Sequence, residues 1–431
     1  MMIKKIKNNR YLYLLFLLTG SLNAYAQTDT AFIKKELKLE EYLNLVGRQN
    51  LGYLAGKYNV SIAEANIESA RVFPDPQLSV GGYDNQQSSL HLGRGYNTSI
   101  STTLELGGKR KSRIALAESQ SEVSKALLLD FFRNLRADVT LAYFNALQQY
   151  HLLGVLQNSY STMKQLADAD STRFRLGSVT ETDARQSKLE ASNLLNNLIQ
   201  AEADWKTTLV QLNLNAGMVQ PDIFLVPAND FRDLKRKFSL LQLISDAQAN
   251  RADAVAASNT QIAAKNTLQL AKANRAIDLG LSIGMQYSGA STNEIAPTPA
   301  YRSVNVGISV PLKFSNAYKG ELKTAQFLIK QTKIQYEQVA LQIQTEVTQA
   351  YINYKAAEKQ VAQYNNALLA DARKIFEAKA YSYKRGETSL LEVLNAQRTY
   401  NEVQQSYYQA QYNYTATLVQ LERAAGIWDL K

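Results

Sequence analysis

Apolar and polar positions alternate along four short stretches of the chain. From Tyr96, the even positions Thr98, Ile100, Thr102, Leu104 and Leu106 oppose Asn97, Ser99, Ser101, Thr103 and Glu105. From Leu279, Leu281, Ile283, Met285 and Tyr287 oppose Gly280, Ser282, Gly284, Gln286 and Ser288. Val304, Val306, Ile308, Val310 and Leu312 oppose Ser303, Asn305, Gly307 and Ser309, and Leu78 and Val80 make a weaker case against Ser79 and Gly81. A period of two puts alternate side chains on opposite faces of a strand. Segments of about ten residues, apolar on one side and small and polar on the other, are the pattern of strands in a transmembrane barrel. A soluble hairpin with one buried face would read the same way for a single segment. The two hairpins are predicted at about 77–106 and 279–312, with Asp84 to Gly95 and Ala290 to Ala300 as their loops.

Four strands do not close a barrel, and an open sheet edge in lipid would leave backbone groups unsatisfied. The barrel must therefore be shared between protomers, and three copies would give twelve strands and an interior wide enough for water.

Elsewhere the period changes to that of helices. All seven prolines fall at Pro74, Pro76, Pro221, Pro227, Pro297, Pro299 and Pro311. From Lys109 to Arg175 the only glycine is Gly154, and from Lys313 to Arg385 it is Gly320. These stretches predict helices on the order of 100 Å long at 1.5 Å per residue, beyond what one compact domain accommodates. A 3-4 spacing then runs through Ala184, Ser187, Ala191, Leu194, Leu198, Ala201, Trp205, Thr208, Leu212 and Asn215. It recurs through Val393, Ala396, Tyr400, Val403, Tyr407, Ala410, Tyr414, Thr417, Leu421 and Ala424. A sustained period of 3.5 marks a coiled-coil seam. Gly177 and Gly386 each stand between a long helix and a seam helix, as the turns of helical hairpins.

The halves match in order. Thr208-Leu209-Val210-Gln211-Leu212 recurs as Thr417-Leu418-Val419-Gln420-Leu421, Arg175-Leu176-Gly177 parallels Lys384-Arg385-Gly386, and Leu78-Ser79-Val80-Gly81 parallels Leu281-Ser282-Ile283-Gly284. One unit of about 200 residues used twice explains this. The expected division is 27–217 for the first repeat, 218–237 for a linker and 238–431 for the second repeat. Residues 1–26 have the form of a secretory signal: a basic Lys4–Arg10 region, an apolar Tyr11–Leu18 run too short to span a bilayer, and Ala24-Tyr25-Ala26 as cleavage site.

Composition narrows the chemistry. With no cysteine, there are no disulfides, thiolate metal sites, cysteine nucleophiles or lipidated N-terminal cysteine. His91 and His151 are the only histidines, so a histidine-rich metal site is excluded. The formal charge is +10, of which Lys4, Lys5, Lys7 and Arg10 belong to the signal; the remaining excess, about +6, does not imply a nucleic-acid partner. Ser161-Thr162-Met163-Lys164 matches a serine-lysine pattern of acyl-transfer enzymes but lies in a helical stretch without companion motifs. Lys109-Arg110-Lys111 fits either lipid headgroups or a solvated helix start. No catalytic constellation is present, and neither an enzyme nor a cofactor is expected.

The ordered motifs resemble the TolC-type outer-membrane efflux proteins over essentially the whole mature chain. Leu104-Glu105-Leu106-Gly107-Gly108-Lys109-Arg110 resembles the cation-efflux, CzcC-like branch. Pro311-Leu312 followed by Lys319-Gly320-Glu321 is similar to the matching junction in the second half. The fold class this implies is a mixed α and β membrane protein: a long α-helical coiled-coil barrel in the periplasm and four β-strands per protomer in a shared twelve-stranded outer-membrane barrel. The resemblance implies a homotrimer in outer-membrane lipid, docked to a periplasmic adaptor (membrane fusion) protein and an inner-membrane pump of the resistance-nodulation-division type. It implies passive gated conduction of exported substrates, with metal cations favoured by the glycine-glycine junction. The exit channel of a type I protein-secretion system would use the same fold, and a non-conducting periplasmic coiled coil is an alternative of another class.

Two groups of site residues follow from the resemblance. Arg175, Leu176, Gly177 and Ser178, with Arg385, Gly386 and Glu387, are the expected adaptor-docking tips. Asp183, Tyr383, Glu392 and Asn395 are the expected periplasmic gate. There Glu392 and Asn395 would form rings about the trimer axis, and Tyr383 with Asp183 would tie neighbouring coiled coils shut. Many relatives carry a lipidated cysteine, which is missing here, and two Asp where this chain has Glu392 and Asn395.

Overall fold

The computed structural model describes residues 33–86, 91–220, 222–228, 231, 236–313, 317–364 and 368–428. The expected signal segment, 1–26, lies outside the described residues.

The predicted strands form one antiparallel sheet. Strands β2 (Gln77–Asp84), β3 (Arg94–Leu104), β5 (Leu279–Ser288) and β6 (Tyr301–Ser309) lie in the order β2-β3-β5-β6. Two further strands, β1 (Ile33–Leu37) and β4 (Ile223–Pro227), pair in parallel elsewhere. The register of the large sheet aligns the apolar positions of all four strands. Leu78, Ile100, Ile283 and Val306 make one row, and Val80, Thr98, Met285 and Val304 the next. The intervening rows are Ser79, Ser99, Gly284 and Asn305, and then Gly81, Asn97, Gln286 and Ser303. A slip of one residue would exchange the two faces, so this register is set by the side-chain pattern. Within the protomer the apolar face is bare, with Leu78 and Val306 more than two-thirds exposed. Among the described residues β2 and β6 each have one neighbour, leaving two open edges.

The helices follow in a repeated order. Helices α1 (Leu39–Gln49) and α2 (Leu51–Arg71) precede the first hairpin, and α3 (Lys109–Arg175) and α4 (Glu181–Asn215) follow it. In the second half, α5 (Leu240–Asn250) and α6 (Ala252–Ala273) precede β5, and α7 (Ala317–Gln363), α8 (Leu369–Lys384) and α9 (Leu390–Ala425) follow β6. As predicted, α3 is one unbroken helix, 67 residues and about 100 Å long. The matching stretch of the second half is described as α7 and α8, and 365–367 between them lie outside the described residues. Near the sheet α3 runs beside α6, where Asn266 donates to the Ala115 carbonyl (3.0 Å). Farther along it runs beside α9, where the Ser159 hydroxyl donates to Asn401 (2.6 Å).

The main core lies between these ends. It gathers Tyr42 and Val46 of α1, Tyr143 and Leu147 of α3, Leu209 and Leu212 of α4, Leu225 of β4, Tyr354 of α7 and Leu418 and Leu421 of α9. The β1–β4 pair belts this level: Tyr143 donates to the Leu37 carbonyl (2.9 Å), and the Asn213 side chain bonds both the Ile223 carbonyl and the Leu225 N–H. β4 lies within the expected linker, 218–237. Its five-residue run is too short for periodicity to separate strand from buried helix. The predicted seams are buried near the tips, at Ala184, Ser187, Ala191, Leu194 and Val393, and again at the core level, at Trp205, Leu212, Ala410, Tyr414, Leu421 and Ala424. Towards the core the buried surface widens to Leu209, Asn213, Leu418, Val419 and Glu422, because there the helices are covered on more than one side.

Candidate functional site at the hairpin tips

Both hairpins turn by the same local device. Gly177 and Gly386 have positive φ, 72° and 77°, which a residue with a Cβ adopts only under strain. At the first tip the Gly177 N–H donates to the Phe174 carbonyl (2.9 Å) and the Ser178 N–H to that of Arg173 (2.8 Å). At the second, the Gly386 N–H donates to Tyr383 (3.0 Å) and the Glu387 N–H to Ser382 (3.0 Å). These bonds satisfy the last carbonyls of α3 and α8 and reverse the chain. Three residues on, Thr180 and Ser389 cap α4 and α9 by accepting from the Asp183 and Glu392 N–H groups. Arg175, Leu176, Gly177, Ser178, Arg385, Gly386 and Glu387 are all exposed, Leu176 at 75%.

The tips lie side by side over a small apolar cluster of Met163, Ala167, Ala191, Leu194, Leu390, Val393 and Leu394. Inside it Tyr383 of α8 donates its hydroxyl to Asp170 Oδ1 of α3 at 3.0 Å, with Asp170 fully buried. Arg173 closes the arrangement. Its guanidinium lies 3.9 Å from Asp170 and 5.4 Å from the Tyr383 ring centre, and it donates to the Lys384 carbonyl (2.7 Å). Burial pushes the Asp170 carboxyl up, against the pull of Tyr383, Ser187 and Arg173. Burial and the adjoining carboxylate push the Tyr383 phenol up as well, so it remains a donor.

The expected gate residues are thus redistributed. Tyr383 is buried and tied to the other hairpin, but its partner in the chain is Asp170 rather than Asp183. The Asp183 carboxylate is engaged locally, accepting the Thr180 hydroxyl (2.7 Å) in the first turn of α4. Glu392 occupies the corresponding place in α9 and accepts from Lys379 (2.5 Å) and Thr388 (2.7 Å). The Lys379 bond holds its carboxyl below the usual range. Asn395 is exposed, one turn farther along α9. Asp170 was legible in principle. Met163, Ala167 and Asp170 keep a 4-3 spacing, so an acid occupies a seam position where an apolar residue is the norm.

Among the described residues, no cluster of three or more His, Cys, Asp or Glu could hold a metal ion, and no helix is long and apolar enough to cross a membrane. What can cross one is the sheet, with its apolar rows and open edges. The family model described as "Outer membrane efflux protein" matches residues 48–218 and 243–427. The chain belongs to this family. It is an outer-membrane efflux channel protein and not an enzyme, with the β2-β3-β5-β6 sheet in the membrane and its helices in the periplasm. It is 24% identical over 397 residues to the cobalt-zinc-cadmium resistance protein CzcC of Cupriavidus metallidurans, covering 90% of this chain and 88% of CzcC. To the outer membrane protein TolC of Escherichia coli it is 22% identical over 377 residues, 84% of this chain and 76% of TolC. The crystal structure of the Campylobacter jejuni CmeC outer membrane channel superposes with a TM-score of 0.74 at 15% identity, covering 90% of this chain and 85% of CmeC.

Proposed function

We propose that three protomers close a twelve-stranded barrel and that the channel is the exit duct of a tripartite efflux system. The observation that carries this reading is the sheet: four strands in register, one face predominantly apolar between its ends, and two edges unpaired among the described residues. Lipid cannot satisfy those edges, whereas β2 of a neighbouring copy pairing with β6 can. Conduction is passive, with energy from an inner-membrane pump of the resistance-nodulation-division type reached through a periplasmic adaptor. The adaptor docks on the exposed tips around Gly177 and Gly386. The gate is the tip cluster. Asp170 and Tyr383 hold the two hairpins together, and rings of Glu392 and Asn395 narrow the pore.

Metal cations are the cargo this reading favours, supported by the likeness to CzcC and by the Leu106-Gly107-Gly108-Lys109 junction. Purified protein should be a trimer in detergent and conduct in planar bilayers; a folded, non-conducting monomer would refute the shared barrel. Ile283→Arg, near the middle of the apolar face, should cost about 2–4 kcal/mol, and Ser282→Arg on the other face much less. Deleting the gene and challenging cells with metal salts, dyes and drugs tests the cargo. Sensitivity confined to dyes and drugs would remove metal cations.

A further inference from the structure

The apolar face of the sheet ends differently at its two ends. At the helix end, Leu104, the last residue of β3, and Val310 and Leu312, just beyond β6, keep the side chains apolar. At the loop end the same parity arrives at Tyr96 on β3, Tyr287 on β5 and Arg302 on β6, which are cross-strand partners in one row. Arg94 is the next residue of that face, one step nearer the loops.

The side chains lie as the parity requires. The Tyr96 and Tyr287 rings are 5.1 Å apart, so both stand on the apolar side. Arg94 leans across Gly289 of the neighbouring chain segment: its Cγ is 3.6 Å from where a Cβ at Gly289 would be. This directs the stem towards β5 and β6, away from Asp84, the residue opposite Arg94 on β2. The Asp84 carboxylate accepts the Gln86 N–H instead (3.0 Å). Arg94 and Arg302 are both exposed, and neither makes an ion pair among the described residues. With strands about 4.8 Å apart and about 6.8 Å per two-residue step, their Cα positions are about 12 Å apart, within joint reach of two arginine side chains.

We infer that Arg94 and Arg302, above the Tyr96–Tyr287 pair, form a site for a phosphorylated glycolipid of the outer leaflet. The inference rests on the proposed barrel, in which the apolar face meets lipid and the loop end meets the cell surface. Two features select this ligand. Tyrosine rings at the margin of an apolar band match the boundary between acyl chains and polar headgroups. Guanidinium groups just beyond that boundary match phosphate, which each can hold by two parallel hydrogen bonds. Within the paired rows of this face the cations, Arg94 and Arg302, stand at the loop end, and so on the outer leaflet. A trimer carries three such sites.

The test uses the full-length trimer in phosphatidylethanolamine vesicles, titrated with a hexa-acyl diglucosamine bisphosphate and with its dephosphorylated counterpart. Phosphatidylglycerol and inorganic phosphate serve as the other anionic arms. Native mass spectrometry counts bound lipid, and trimer melting reports folding. The bisphosphate should be retained at up to three per trimer and preferred over every other arm. The Arg94→Gln, Arg302→Gln double variant should lose about twenty-fivefold in affinity, fivefold for each cation, with unchanged melting in phosphatidylethanolamine alone. Arg302→Lys should keep part of the binding. Equal retention of phosphorylated and dephosphorylated glycolipid, or a double variant that binds like the parent, overturns the site. Loss of trimer stability in Arg302→Gln without any anionic lipid overturns it too, because Arg302 then serves the seam between protomers, where Asp84 of the next copy is the available anion. Failure of the parent protein to insert as a trimer is a separate result, and it refutes the barrel together with the site.

Discussion

The two hairpin tips turn by the same hydrogen bonds and are capped in the same way, yet their charges are used in opposite directions. Asp170 and Lys379 stand at one offset, seven residues before Gly177 and Gly386. Asp170 is completely buried and bonded to Tyr383 of the other hairpin, whereas the Lys379 side chain is 45% exposed and bonded to Glu392 of its own. Phe174 and Tyr383 form the other contrast, each three residues before its glycine. Only the second has a hydroxyl to donate. The backbone of a tip is therefore repeated, but the coupling between tips is not. The first hairpin supplies an enclosed acceptor, the second supplies the donor, and the second keeps its own ion pair outside in water.

The sharpest way to break this contrast is to give the first tip the residue of the second. Asp170→Lys places a cation beside Arg173 in a closed apolar cluster and removes the acceptor of Tyr383. Breaking a buried charged pair costs about 3–5 kcal/mol, so closed-state leak in single-channel recordings should rise by about two to four orders of magnitude. Unchanged leak, with trimer yield intact, would take the gate away from this cluster.

Tyr383→Phe removes only the hydroxyl and makes the second tip resemble the first. A hydrogen bond to a charged group contributes about 1.5–3 kcal/mol, which corresponds to a rise in leak of about ten- to a hundredfold. Asp183→Ala should have far less effect, since that carboxylate is spent on the first turn of α4. Equal leak in the two variants would restore Asp183 to the gate.

Acidity separates the buried acid from the exposed pair more gently. In the closed state burial raises the Asp170 pKa above its ordinary 3.8, and opening returns the carboxyl to water and to that ordinary value. The closed state then binds the proton more tightly. Lowering the pH from neutral towards 3.8 favours closure, and raising it favours leak. Asp170→Asn keeps an acceptor for Tyr383 without the titrating charge, so its leak should be low and flat with pH. A parent channel whose leak rises on acidification would contradict this sign.

The smallest effects belong to the exposed pair. Glu392→Ala should lower cation-over-anion selectivity, and Lys379→Ala should raise it by exposing the carboxylate it now neutralises, each by about twofold and without loss of assembly. Reversal potentials in asymmetric salt measure both. Identical shifts in the two variants would mean that the pair does not face the pore.

The strands, the long helices and the tip turns were legible in the sequence because each rests on local rules. Alternation of period two set the sheet faces, the scarcity of glycine and proline in 109–175 allowed one unbroken helix, and Gly177 and Gly386 were needed where φ is positive. β1 and β4 were not, since a five-residue run has no period to measure and β1, Ile33-Lys34-Lys35-Glu36-Leu37, is largely charged. Asp183 and Asp170 likewise both stand near Gly177 in the sequence. Which of the two faces Tyr383 depends on how α3 and α8 pack against each other, and only that packing seals Asp170 from water while leaving the Asp183 carboxylate to accept from the Thr180 hydroxyl at the start of its own helix. Local periodicity determines what each segment becomes; burial, which no single segment controls, decided which polar groups had to find each other.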